Sequence, residues 1–217
     1  MASAGLTQRQ VRLLGASLLA VELALWWLHG ATAPWASRHH WFDLDAEGSV
    51  SVWFSSMQLF VVAGVTAYCA WNERRRSWWL LSGLFLYISV DETAGFHEAI
   101  GDWLGQRISL PFFPRGATQY WLVAFLPLIG FAVWYFGRFL SRDFQGRTGP
   151  RVLAWAGLAI WLKALLIESG WVFPQSPLAV RVGWEEFLEM AGATCFLIAF
   201  LTHAVMIREG CLGEGRA

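Results

Sequence analysis

The sequence predicts an all-α polytopic membrane protein with six transmembrane helices and both termini in the cytoplasm. Three observations carry that expectation. The 217 residues are 56% hydrophobic and 16% aromatic but only 15% charged, whereas a soluble domain averages roughly 25% charged residues. The apolar residues fall into six runs of about 20, the length that a hydrocarbon core about 30 Å thick demands of a helix. The basic residues, finally, are shared unequally between the connections on the two sides of these runs.

The first span covers about 11–29, after Arg9 and Arg12 and before Pro34. Basic residues, an apolar run and Ala31-Thr32-Ala33 also suit a cleaved secretory signal, but Glu22 interrupts the run and its length suffices to span. The connection 30–49 holds His39, His40, Asp43, Asp45 and Glu47, and reads as a solvated polar loop, with a small lid as the alternative. The second span, 50–71, ends before Arg74, Arg75 and Arg76, and the third covers 78–100. Pro111 and Pro114 separate it from the fourth, 119–139; Gly149-Pro150 precede the fifth, 152–172; Pro174 and Pro177 precede the sixth, 184–207. The whole chain, 1–217, forms one such domain.

Alternation of these spans puts eleven arginines on one side and four on the other, namely Arg38, Arg107, Arg115 and Arg181. The richer side is predicted cytoplasmic. Many tryptophans, among them Trp26, Trp27, Trp71, Trp78, Trp79, Trp103, Trp121, Trp171 and Trp184, lie near span ends, as interfacial anchors do. Formal net charge is zero, so no basic field invites nucleic acid. Cys69, Cys195 and Cys211 lie far apart with no CxxC pair, which argues against a disulfide framework or a thiolate metal site.

Ionisable residues inside spans carry the functional information, because each costs roughly 2.5–3.5 kcal/mol to insert. The third span contains Asp91-Glu92 and His97-Glu98, the fifth Lys163 and Glu168, the sixth Glu185, Glu186 and Glu189, and the first Glu22. At about 1.5 Å of rise per residue, the acids of the third, fifth and sixth spans lie about 20–29 Å above the cytoplasmic ends. Glu22 and Lys163 lie lower, at about 16–18 Å. In regular helices Asp91 and Glu98 are about 20° apart and Glu185 and Glu189 about 40° apart, so each span presents a carboxylate stripe. Gly95 is a place where a kink can bring Glu92 or His97 round.

Seven acids at one depth need protons, counter-ions or a bound cation. A divalent ion neutralises two carboxylates at once, and helix-borne carboxylate and histidine sets are how metal sites are built in bundle cores. His97-Glu98-Ala99-Ile100-Gly101 begins like HExxH, but Gly101 replaces the second histidine. Leu14-Gly15-Ala16-Ser17 lacks a histidine at matching depth and reads as helix packing. Asp91 is the one aspartate well inside a span, against the two that an intramembrane aspartyl protease needs, and His203 lies too far below His97 for an alkaline ceramidase type of site.

The pairing of Asp-Glu-x4-His-Glu late in the third span with Glu-Glu-x2-Glu early in the last resembles a group of multi-pass bacterial membrane proteins of uncharacterised activity. That resemblance implies the span layout and no chemistry.

The residues themselves lead to an integral membrane metalloprotein, an enzyme on a lipid or isoprenoid substrate, with its site in the outer half of the cell inner membrane, facing the periplasm. Asp91, His97, Glu98, Glu185 and Glu189 are the expected ligands of a divalent metal ion (Zn, Fe, Mn or Ca). Glu92 and Glu168 are the expected catalytic acid and base, with Glu186 behind the ligands. The alternative is a proton- or cation-coupled transporter or channel that uses the same carboxylates, with Glu22 and Lys163 continuing the path. A third reading makes the acids helix-to-helix glue.

Overall fold

The computed structural model describes residues 6–32, 40–46, 48–110, 120–144, 148–170, 172–173 and 175–210. Ala33, Pro34, Arg38, His39, Glu47, Pro111, Pro114, Arg115, Arg147, Trp171, Pro174, Cys211 and Arg216 lie outside them. Among the described residues all regular structure is helical: α1 (Gln8–Thr32), a 3-10 turn at His40–Phe42, α2 (Val50–Glu73), α3 (Arg76–Ala94), α4 (Phe96–Gly105), α5 (Tyr120–Arg142), α6 (Thr148–Glu168) and α7 (Leu178–Arg208). Five of these, α1, α2, α5, α6 and α7, are long and apolar enough to cross a membrane. The third expected span is the exception: α3 has 19 residues and carries Asp91 and Glu92 in its last turn.

Local chemistry explains the breaks. Ser49 caps α2, its side chain accepting from Val52 N–H at 3.1 Å. At the other end Arg74 takes the left-handed conformation (φ 53) and α3 starts at Arg76, so α2 and α3 form a tight antiparallel pair. The sequence pattern reads 78–100 as one helix, but Gly95 at φ 57 ends α3, and its N–H bonds back to the Asp91 carbonyl. Glycine bears this conformation without the penalty of a Cβ, and α4 sets off in a new direction.

α7 is the hub, packed along α6, α2 and α1. Small residues set its approach. A Cβ on Gly192 would lie 2.3 Å from Trp161 Cδ1, and one on Gly157 would lie 2.9 Å from Phe196 and 3.0 Å from the Gly192 carbonyl. Gly15 of α1 meets Ile198 of α7 in the same way, at 2.9 Å, as helix packing rather than as part of a nucleophile motif. With Gly192 bare, the Trp161 indole lies on α7 and donates to the Glu189 carbonyl at 2.9 Å.

The middle of the bundle is aromatic. Phe85, Phe136, Phe196 and Phe200 are fully buried, with Phe136 and Phe196 centroids 5.0 Å apart and Phe85 and Phe196 centroids 5.4 Å apart. Beside this layer Glu22, completely buried, accepts from Gln58 Nε2 (2.8 Å) and Thr194 Oγ1 (2.6 Å), which clasps α1, α2 and α7 together.

The two ends differ in charge. Arg9, Arg12, Arg74, Arg75, Arg76, Arg138, Arg142, Arg151 and Arg208 gather at one end, where buried His203 meets Glu73 at 2.6 Å and stacks on Trp78 at 5.1 Å. Trp78 Nε1 donates to the other Glu73 oxygen (3.0 Å), and Arg75 pairs with Asp143 (2.9 Å). Asp91, Glu92, Glu98, Glu168, Glu185, Glu186 and Glu189 collect at the opposite end.

Candidate functional site

The end of α3, the end of α6 and the first turns of α7 converge at the acidic end. On α7 the spacing of Glu185, Glu186 and Glu189 decides the arrangement: at about 100° per residue Glu189 lies about 40° from Glu185 and about 60° from Glu186, between the two. Two groups follow, Glu92, Glu186 and Glu189, and Glu168, Glu185 and Glu189, in each of which one carboxylate oxygen per residue lies within 4.8 Å of the others. Glu189 belongs to both. Oxygens bound to one hard cation at about 2.0–2.6 Å are separated by at most about 5 Å, so each group has the dimensions of a cation site.

The Gly95 break creates a second arrangement beside the first. The Asp91 carboxylate accepts the His97 N–H through Oδ1 (3.1 Å) and meets His97 Nδ1 through Oδ2 (2.7 Å). It thereby caps α4 and fixes the imidazole. With the Nδ1 proton donated to Asp91, Nε2 is the nitrogen left for a ligand or a proton. The ring packs edge-on to Trp121 of α5, at 4.9 Å between centroids, and Trp121 Nε1 donates to Glu168 Oε1. One indole therefore links the histidine to the carboxylate group.

All of these side chains line a single cavity of about 300 Å³, together with Glu98, Ser55 and Asp45. Asp45 comes from the segment after the 3-10 turn, which His29 holds in place. Leu44 N–H donates to His29 Nδ1 (3.2 Å), so His29 Nε2–H donates to the Ala179 carbonyl (3.1 Å). Nδ1 is thus an acceptor, and its 3.4 Å approach to Asp43 is not an ion pair. Leu44, fully buried, wedges between Leu25 and Met190. Asp45 is exposed as a residue yet reaches the cavity, and its carboxyl is pushed above the ordinary range by partial burial and by Asp43, with His97 opposing. Over 41–46 the polar loop of the sequence pattern is anchored through Leu44, while Trp41 and Asp45 stay exposed.

Of the residues singled out in the sequence, Asp91, Glu92, His97, Glu98, Glu168, Glu185, Glu186 and Glu189 all reach this cavity. The two close carboxylate groups take in Glu92, Glu168, Glu185 and Glu189, and also Glu186, which the sequence reading set behind the ligands; Asp91, His97 and Glu98 fall outside them. Glu186 was legible in the 60° between it and Glu189. Asp45 and Trp121 carried no such signal, since a loop aspartate and an interfacial tryptophan look ordinary. Lys163 is exposed on the outer face of α6, and Glu22 lies below, away from the cavity lining.

Fold and site together define a class: a helical, membrane-spanning bundle with grouped acidic side chains in a cavity at one end. Residues 11–204 match the family model described as Domain of unknown function (DUF8692), and the chain belongs to that family. No curated protein and no solved structure matches it.

Proposed function

We propose that this is a membrane-embedded metal-dependent enzyme whose five glutamates hold a pair of divalent ions, with Glu189 shared between them. The observation that carries this reading is the pair of three-carboxylate groups meeting at Glu189. Five carboxylates in a bundle need compensating charge, and two divalent ions balance four of them, leaving one negative charge for a proton or for His97. The donor set is all oxygen, which favours Mn, Fe or Ca over Zn, an ion that prefers nitrogen and sulfur.

Such ions supply Lewis acidity and a reactive bound water at neutral pH. The chain's own residues do the rest. Glu92 and Glu186 hold one side, Glu168 and Glu185 the other, and Trp121 orients Glu168 through its indole N–H. His97, oriented by Asp91, is the proton carrier, acting through Nε2. Segment 41–46, anchored by Leu44, brings Asp45 to the end of the cavity, and the apolar wall below the acids suits a lipid or isoprenoid substrate.

In this reading α3 completes a sixth crossing with the help of α4, since it runs back along α2 from a tight turn. The arginine-rich end then faces the cytoplasm and the carboxylates the periplasmic side of the inner membrane. The transporter reading ranks second. Below the carboxylates the bundle is closed by Phe85, Phe136, Phe196 and Phe200, and Lys163 points away from the interior.

Elemental analysis of detergent-purified protein tests the proposal. About two divalent ions per chain are expected, about one in Glu92→Gln or Glu168→Gln, and almost none in Glu189→Gln. Absence of any stoichiometric metal from the purified protein, with no thermal shift on adding Mn, Fe, Ca or Zn, would sink it.

A further inference from the structure

The carboxylates occupy only one end of their cavity. Its lining continues along α6 from Glu168 to Leu158 and along α5 from Trp121 to Phe136, about 15 Å and about 22 Å of helix rise. That is at least half of a hydrocarbon core about 30 Å thick, or the depth of one leaflet. Below the acids the walls are carbon apart from the Tyr87 hydroxyl and the Trp161 indole N–H: Ile88 from α3, Ile129, Ala132 and Val133 from α5, Leu158 and Leu162 from α6. Such walls offer nothing to an ion or a polar solute. Phe136 and Phe196, their centroids 5.0 Å apart, close the bottom.

The same cavity opens sideways. α5 packs on α4 and lightly on α6 but makes no extended contact with α3. Among the described residues the two meet toward the basic end, where Tyr135 donates to the Ser77 carbonyl (3.0 Å) and Trp78 meets Phe139 (4.8 Å), and at mid-bundle, where Phe85 packs edge-on to Phe136 (6.2 Å). Toward the acidic end Tyr87 of α3 and Leu128 of α5 line the cavity while remaining 39% and 46% exposed, so they form the rims of a lateral cleft. Beside Leu128, Pro127 removes one hydrogen bond from within α5, where a helix bends most readily. α5 is also the least buried of the five candidate spans, at 11%. At the carboxylate end of the bundle, segment 41–46 lies against α1, α2 and α7 through Leu44 and Phe42.

We infer that the cleft between α3 and α5 admits one chain of a membrane lipid sideways from the leaflet at the carboxylate end. The oxygen-bearing head rests at the glutamates, the chain runs down α5 and α6, and Phe136 and Phe196 set the chain length accepted. This rests on the enzyme reading for the role of the head, while the chain pocket stands on its own geometry.

A fatty acid with a diazirine near its terminal carbon, incorporated with the protein into phospholipid nanodiscs and photolysed, provides the probe. Mass mapping should find the label on Ile129, Ala132, Val133, Leu158 or Leu162. Ala132→Trp fills the pocket, and a packing penalty of at least about 1 kcal/mol lowers labelling there about fivefold or more. If that variant does not fold, Ala132→Leu serves, and a shorter fatty acid should then outcompete a longer one. Label confined to Leu126, Phe131 and Trp134 on the outer face of α5, or unchanged by either substitution, overturns the inference. Metal content measured on the same samples separates the two readings: pocket labelling without metal refutes the metal site alone, and metal without pocket labelling refutes the chain pocket alone.

Discussion

The two ends of the bundle treat buried charge in opposite ways. At the basic end Glu73 and His203 are 7% and 0% exposed, paired at 2.6 Å, sandwiched by Trp78, and flanked by the Arg75–Asp143 pair. Glu73 and Asp143 there each face a cation or a donor. At the other end five glutamates face one another across an open cavity, and the nearest imidazole is engaged with Asp91 instead. Paired and sealed charge holds helices together, whereas like charges gathered around a void cost stability unless something binds there. Both ends belong to the same helices, so the difference reflects what each end is for.

The largest test of that contrast is a sign reversal in stability. His203→Ala leaves the Glu73 carboxylate with Trp78 and Arg75 but without its imidazole, and loss of one partner of a buried pair costs up to about 3–5 kcal/mol. A large fall in the thermal midpoint in detergent is expected. Glu186→Gln, measured in chelator, should instead leave the midpoint unchanged or raise it, because it removes repulsion from Glu189 and Glu92. A fall in both variants would show that the acidic cavity, too, is structural glue.

Next in size is the contact that brings the two halves of the cavity together. Gly192→Ala drives a methyl into Trp161, to 2.3 Å from Cδ1, and overpacking of this kind costs about 1–3 kcal/mol. Because Trp161 also bonds the Glu189 carbonyl, metal retention should fall along with stability. A loss of stability with metal affinity intact would mean that the α6–α7 spacing does not tune the site.

How far the sequence reveals all this depends on the kind of order involved. Helices of about 20 apolar residues and the sorting of arginines are local or additive, and they lead to the bundle and its two charged ends. The depth of the acids follows from rise per residue, so the meeting of Asp91, Glu92, Glu168, Glu185 and Glu189 at one cavity is legible too. The sequence names Gly95 as a place for a kink but does not reveal that the helix breaks there, because one glycine within an apolar run is compatible with a continuous helix until a partner such as Asp91 stabilises the turn. Azimuths drawn through 78–100 therefore group Asp91 with Glu98, whereas Asp91 actually bonds His97. The anchoring of 41–46 is hidden for a similar reason: its anchors, His29 with Leu44 and Ala179, are far apart in the chain.

The smallest effect concerns that Asp91–His97 pair. Asn retains a carbonyl oxygen to accept the His97 backbone N–H and so can still cap α4, which predicts that Asp91→Asn costs no more than about 1 kcal/mol of stability. It removes, however, the carboxylate that draws the Nδ1 proton and orients the ring. If His97 carries protons as the enzyme reading requires, the variant should keep its metal content and thermal midpoint while losing turnover of a lipid substrate. His97→Gln should lose the same activity without adding to the defect when the two substitutions are combined, since residues that act as one unit are not additive. Additive losses would instead make Asp91 a contributor to the carboxylate cavity in its own right, and the division of the acidic end into a five-glutamate group and a separate aspartate–histidine pair would fail.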